Sequence, residues 1–215
     1  MKRTGLRPPL IARYVGQIGA LVTEGHARLS ASWQRIEAYL GAHAPNVFTT
    51  LAPPATASQI ATVEAAIGRE LPADLAWSLR IHNGQGDRSQ LWSFTDCGQL
   101  LSCDGIVEMW RMTESVQAEE AGRPLPVPDV AYTPPVWWKS TLIPFTFHEG
   151  DMLCADTDFD LGQARGQIVM HVHDVGLSEP LAPSFSAWLE IVAEKLDAGA
   201  LVVDARGYSY LGSKT

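Results

Sequence analysis

The chain has 215 residues, 46% hydrophobic and 19% charged, a balance that excludes a disordered polypeptide and suffices for a single core of ordinary size. The formal charge is −8, but the first acid is Glu24: residues 24–215 hold all 24 acids against 12 of the 16 bases, a body of −12 that repels nucleic acid and anionic membrane. No apolar run approaches the ~20 residues of a membrane helix, and Cys97, Cys103 and Cys154, without C-x-x-C spacing, argue against a disulfide framework or structural zinc and for a reducing cytoplasm.

The chain opens with a basic arm carrying Lys2, Arg3, Arg7 and Arg13. Its apolar residues Leu10, Ile11, Tyr14, Val15, Ile18, Leu21 and Val22 recur at helical spacing, so an amphipathic helix is expected rather than a targeting signal. Gly25 weakens the end of this helix. Ser32 then reads as the cap of a second one, with Trp33, Ile36 and Leu40 inward and Gly41 at its end. Residues 1–31 are accordingly set apart as a basic helical extension. Thr56 and Gln59 form a capping box for a helix with Ile60, Val63 and Ile67 on one face and Gly68 past its end. Pro72 and Asp74 suit the first turn of the next helix, expected over about 73–82, where His82 would cap the C-terminus before Asn83-Gly84. Leu91–Phe94 reads as a short strand. A helix follows from Ser102 or Asp104 with Ile106, Val107, Trp110 and Val116, and the Pro-rich stretch 123–135 is a stiff surface loop.

The stretch from Val136 to Gly176 organises the rest. Strands are expected at about 141–147, 152–156 and 167–173, paired in one sheet, with Pro144 at an edge or bulge and His148-Glu149-Gly150-Asp151 as a turn. Helices near 57–67, 73–82 and 184–197 would cover that sheet. The last is capped by Ser184, with Phe185, Trp188, Leu189, Val192 and Leu196 on its apolar face. Residues 201–204 and 208–211 would close the chain as a hairpin or tail.

No residue constellation completes a catalytic or metal site. Asp156-x-Asp158-x-Asp160 starts like a calcium loop, but Leu161 and Gln167 stand where glycine and glutamate are required. His171 and His173 would share one face of a strand, with no third ligand evident. Nucleophile motifs, Walker loops and dinucleotide fingerprints are missing from the sequence, so an enzyme is not expected, nor is a metal or cofactor. Glu149, Asp151, Asp156 and Asp158 lie in turns or at strand ends and should face water as an acidic surface for a basic partner. Trp92 and Trp138, on strand or loop, join them as candidate interface anchors, although core packing is the preferred reading for both.

An ordered set of residues then resembles a known family. It comprises Ser32-Trp33 with Ile36-Glu37, Leu71-Pro72 with Asp74-Leu75, His82-Asn83-Gly84, and Trp138 ahead of Ile143-Pro144-Phe145. It continues through Cys154-Ala155-Asp156, Gly166-Gln167-Ile168-Val169 and His173-Asp174, and ends with Ala182-Pro183-Ser184-Phe185 before Trp188-Leu189. From about 32 to 200 the chain resembles the SUKH superfamily, in the branch named after the fungal Smi/Knr cell-wall assembly regulators. That resemblance implies an α+β fold, a mixed and largely antiparallel β-sheet packed by helices, and no catalytic residues. It also implies a protein partner. Bacterial members are immunity proteins that neutralise toxins, many of them nucleases, whereas the fungal relatives are regulatory proteins. A glycine-rich acidic turn usual after the Ile-Pro-Phe strand is replaced here by His148-Glu149-Gly150-Asp151.

Overall fold

The long first helix carries the largest departure from the sequence reading. In the computed structural model, which describes residues 8–86, 93–119, 137–158, 165–204 and 207–212, α1 runs unbroken over Pro8–His43. Gly25 and Ser32 lie inside it rather than at its ends. Ser32 turns its hydroxyl back to the Arg28 carbonyl, at 3.2 Å, and so caps nothing. Leu29, Trp33, Ile36 and Leu40 are all buried on one stripe, and packing of that stripe against α6 holds the helix through its weak positions.

A short α2 (Pro45–Phe48) follows, then α3 (Ala57–Ile67), whose capping box has both reciprocal bonds and whose C-cap, Gly68, is left-handed at φ 72°. The next helix, α4 (Ala73–Leu79), is shorter than expected and ends in Arg80. His82 therefore caps no helix. Its Nε2 meets Glu37 Oε1 at 2.7 Å and its Nδ1 meets the Ala52 carbonyl at 3.2 Å, tying α1 to the chain before α3. Gly84, at φ 69°, is required by contact: a Cβ there would overlap the Leu101 backbone. Residues 91 and 92 lie outside the described residues, and Ser93 and Phe94 are not in a strand.

Strand β1 (Gln99–Leu100) leads into α5 (Cys103–Glu119), whose first turn is held by Ser102 Oγ accepting from the Gly105 amide and Asn83 Oδ1 accepting from the Cys103 amide. The main sheet follows. β2 (Leu142–Pro144), β4 (Met152–Asp156), β5 (Gln167–Val172) and β6 (Gly176–Leu177) lie in the order β2-β4-β5-β6, and every described pairing is antiparallel. The fold is α+β, with the three central strands paired in one sheet.

The first of those strands divides. After Pro144, which lacks an N–H, the chain bulges at Phe145 and continues as β3 (Thr146–Phe147), which pairs with β1. Thr146 Oγ1 accepts from the Leu153 amide at 2.8 Å, replacing a ladder carbonyl. Every residue of β4 is buried, so both faces of the sheet are covered. α5 packs on β2, and α6 (Phe185–Asp197) packs on β5. Phe145, Phe185 and Trp188 form one aromatic knot with ring centroids 4.9–5.3 Å apart.

A hydroxyl and a carboxylate position α6. Ser184 caps it by accepting from the Ala187 amide at 3.2 Å. Asp74, in the first turn of α4, accepts from the Leu75 amide with Oδ1 and from the Ser186 amide, in the first turn of α6, with Oδ2 at 2.8 Å. The chain closes with the expected hairpin, β7 (Leu201–Val203) on β8 (Ser209–Leu211). Leu201 and Val203 are buried in the common core. Among the described residues no helix is long and apolar enough to cross a membrane.

Candidate functional site

The four acids that the sequence groups together stand at opposite ends of β4. Glu149 and Asp151 belong to the turn before it, Asp156 ends it and Asp158 follows. At the rise of a strand, five residues separate Asp151 from Asp156 by roughly 16 Å. They form two environments rather than one face.

The turn end is open. The amides and carbonyls of His148 and Asp151 exchange two hydrogen bonds of 2.8–2.9 Å around Glu149 at φ 49° and Gly150 at φ 104°, a two-residue reversal with both φ values positive. A Cβ on Gly150 would press within 3.0–3.2 Å of the His173 ring, so glycine is needed there on two counts. Glu149 is exposed. Asp151 Oδ1 accepts from the His173 amide at 3.0 Å and meets its ring Nδ1 at 2.8 Å, pinning this turn to the end of β5. Partial burial pushes the Asp151 carboxyl up, but the hydrogen bonds and charge of His173 outweigh it and hold the group below the usual range. The same hydrogen bond raises His173.

The other end is closed, which corrects the expectation for Asp156. That residue is 2% exposed. Its Oδ2 pairs with Lys139 Nζ at 3.2 Å, while Oδ1 accepts from Thr141 Oγ1 at 3.2 Å and from the Asp158 amide at 3.0 Å. A buried carboxylate keeps its charge only with such partners, so Asp156 holds the strand end together and is not offered to a partner. Asp158 is half-buried, with Oδ2 3.9 Å from the same lysine.

Trp138 is corrected as well. It is 4% exposed and its Nε1 donates to Glu114 Oε1 at 2.6 Å, anchoring the segment before β2 to α5. Trp92 lies outside the described residues. Trp137, half-buried, donates to the His173 carbonyl at 2.8 Å. The two indoles stand edge-on to His171, with centroids 4.9 and 5.5 Å away. His171 is 1% exposed, and neither ring nitrogen has a hydrogen-bond partner. Burial drives its pKa down to about 4, so the ring is neutral at pH 7. His171 and His173 therefore lie in different surroundings, one walled in by tryptophan and one on the surface with Asp151. Asp160 is outside the described residues.

One surface was missed by the sequence reading. Ser93, Thr95, Asp96, Gly98, His148, Tyr208 and Ser209 line a groove of about 150 Å³ between the loop before β1, the β3–β4 turn and the terminal hairpin. Ser93 Oγ and Thr95 Oγ1 both donate to the Gly98 carbonyl, which fixes its floor. Asp96 Oδ2 pairs with Lys195 Nζ at 2.8 Å. Beside it, burial and then the Asp96 charge push the Cys97 thiol up to about 12, so it is no nucleophile at neutral pH. The lining residues come from three separate segments, 93–98, 148 and 208–209, and no local sequence pattern links them.

The profile of the SMI1 / KNR4 family (SUKH-1) matches residues 54–191, more than half of the chain. This chain belongs to that family. The SUKH-1 match takes in α3 to the first half of α6, with the whole main sheet and the Glu149–Asp151 turn, and leaves α1 and the terminal hairpin outside. Among curated relatives, a KNR4/SMI1 homolog of Kluyveromyces lactis is 32% identical over 112 residues, 49% of this chain and 20% of its own length. A glucan synthesis regulatory protein of Neurospora crassa is 28% identical over 91 residues, 42% of this chain and 17% of its own length. The aligned part is thus about a fifth of each fungal relative.

Proposed function

We propose that this SUKH-1 chain is a non-enzymatic protein-binding domain of the cytoplasm that acts as an immunity protein, binding and neutralising a basic bacterial toxin. The observation that carries the binding reading is the pinned turn at the head of β4. It holds Glu149 in solvent on a backbone fixed by the Asp151–His173 contacts. A charged side chain on a rigid reversal suits recognition, because little conformational freedom is lost when a partner docks. The −12 body supports a basic partner, through faster encounter and rejection of acidic surfaces.

A regulatory scaffold role is the second reading, favoured by the name of the Neurospora relative, a glucan synthesis regulatory protein. The two separate in a reconstituted assay. The purified chain is mixed with a toxin encoded beside its gene, and complex formation and toxin activity are both measured. A one-to-one complex in which the toxin is silent is the expected result. A toxin left fully active by saturating chain overturns the immunity role and leaves the regulatory one.

A further inference from the structure

We infer that the first half of α1 is a dimerisation arm, whose apolar stripe packs antiparallel against the same stripe of a second copy of this chain. The arm lies outside the residues that match SUKH-1, and the inference stands apart from the Glu149 reading of partner binding.

The sequence of this half repeats the stripe that the body buries. Ile11, Val15, Ile18 and Val22 precede Leu29, Trp33, Ile36 and Leu40 by eighteen positions each, which is five whole turns at 3.6 residues per turn. The two sets therefore fall on one line along α1, and the second set is buried throughout. Leu10, Tyr14 and Leu21 widen the first set, while Ala12, Gly16, Gly19 and Ala20 occupy the opposite positions. What covers the second set stops short of the first. Arg28 pairs with Glu190 at 2.9 Å and Arg35 with Asp197 at 2.7 Å, so α1 and α6 run parallel at a constant offset of 162 positions. That offset sets Phe185, the first residue of α6, beside residue 23. α4 meets α1 at His26, through the stacked Trp77 ring, and at Trp33, through Ser78. Residues 8–22 run on past the start of α6 for roughly 22 Å, at 1.5 Å per residue.

Helix stability asks for an occupant, and charge selects it. A helix of this length is marginal without packing, and Gly16 and Gly19 weaken it further, so the helical arm needs a surface for its stripe. Residues 1–23 carry four bases and no acid, whereas residues 24–215 carry a net −12. Two arms in parallel would set base against base. Antiparallel, with the stripes centred on each other near Gly16, residue 8 of one copy comes opposite Glu24 of the other. Each basic arm then runs toward the acidic body of its partner, and Glu24 is exposed for that contact. The arrangement has two-fold symmetry and closes, so assembly stops at the dimer. An anionic lipid surface would attract the arm but repel the body behind it. Each copy offers seven large apolar side chains, fewer than the roughly 20–30 residues a side of a standard interface, so a weak, micromolar dimer is expected.

Sedimentation equilibrium of the full chain across the micromolar range is the test. Wild type should pass from monomer to dimer and no further. Ile18→Glu and Ala20→Glu add the same charge at opposite positions of the helix. The first should weaken the dimer at least tenfold, the second should change little, and both should melt at the wild-type temperature. Added sodium chloride should weaken the dimer, because unlike charges hold it, whereas parallel arms would be strengthened; strengthening overturns the antiparallel arrangement. A wild type that stays monomeric, or an Ile18→Glu variant that dimerises as wild type does, overturns the arm. A melt lowered by Ile18→Glu and not by Ala20→Glu in a monomeric chain places the stripe on its own body and also overturns it. Monomeric wild type that pellets with phosphatidylserine vesicles, and is released by Ile18→Glu, makes the arm a lipid anchor instead. None of these outcomes bears on the toxin assay.

Discussion

Replacing His171 with leucine should remove most of the acid sensitivity of this fold. In the folded chain the ring is buried between Trp137 and Trp138 and titrates at about 4, against 6.5 ordinarily. Below pH 6.5 the unfolded chain takes up a proton that the folded chain refuses, so stability falls as pH falls, and the loss levels off below about pH 4. At 1.36 kcal/mol per pH unit the full loss is about 3 kcal/mol, of which about 2 kcal/mol appears between pH 7 and pH 4.5. That is a large share of the 5–15 kcal/mol typical of a domain. Leucine cannot titrate. At pH 7 it relieves two unpartnered buried nitrogens, worth about 1–3 kcal/mol, and forfeits two ring contacts at about 0.5–1.5 kcal/mol each, so the two proteins should start nearly equal. Urea denaturation followed by tryptophan fluorescence, at steps from pH 7 to 4.5, measures both curves. A wild type equally stable at both ends, or a leucine variant that loses as much as wild type, would refute the account of His171.

Asp156→Asn should cost roughly 3 kcal/mol, because it leaves Lys139 beside a buried neutral amide, whereas Asp158→Asn should shift stability by no more than about 0.5 kcal/mol; thermal melts of the two decide. His173, raised by Asp151, stabilises the turn below the ordinary histidine pKa, and this is lost as pH rises through its folded value. The Asp151 contribution is present at neutral pH and is lost as pH falls through its own lowered value. A proton NMR titration should show His173 protonating above 6.5 in wild type and returning toward it in Asp151→Asn. Calorimetry with calcium and with zinc should give no tight one-to-one isotherm, since the Asp156 oxygens are occupied by Lys139, Thr141 and the Asp158 amide.

Local signals were read directly wherever the physics is local. The Thr56–Gln59 capping box, the Ser184 cap and the Phe185-Trp188-Leu189-Val192-Leu196 stripe each depend on neighbours within a turn or two, and each is where the spacing put it. The order β2-β4-β5 followed from short connections. What escaped depends on distant partners. Gly25 and Ser32 read as helix ends because their own propensities say so, and a face buried against α6 overrides them. Asp156 read as solvated because a D-x-D run in a turn region normally is; Lys139 and Thr141, across the β2–β4 ladder, bury it. The strand at 141–147 was correctly placed, but its passage to a second partner at Phe145 depends on β1, some 45 positions earlier. The groove joins three segments whose sequences carry no common pattern.

The double use of Asp74 bears on how this position can vary. One carboxylate answers the first turns of two helices, α4 with Oδ1 and α6 with Oδ2, across 112 positions of sequence. Serine or threonine is a good substitute at a single helix start, but offers one oxygen where two are in use. Asparagine keeps one acceptor and turns an amide toward a donor. Glutamate keeps both oxygens and displaces them by a methylene, past the Leu75 amide. Drift that would be neutral in an isolated helix is therefore filtered here by a second helix more than a hundred residues away, and Asp74 should change in related chains only when the start of α6 changes with it.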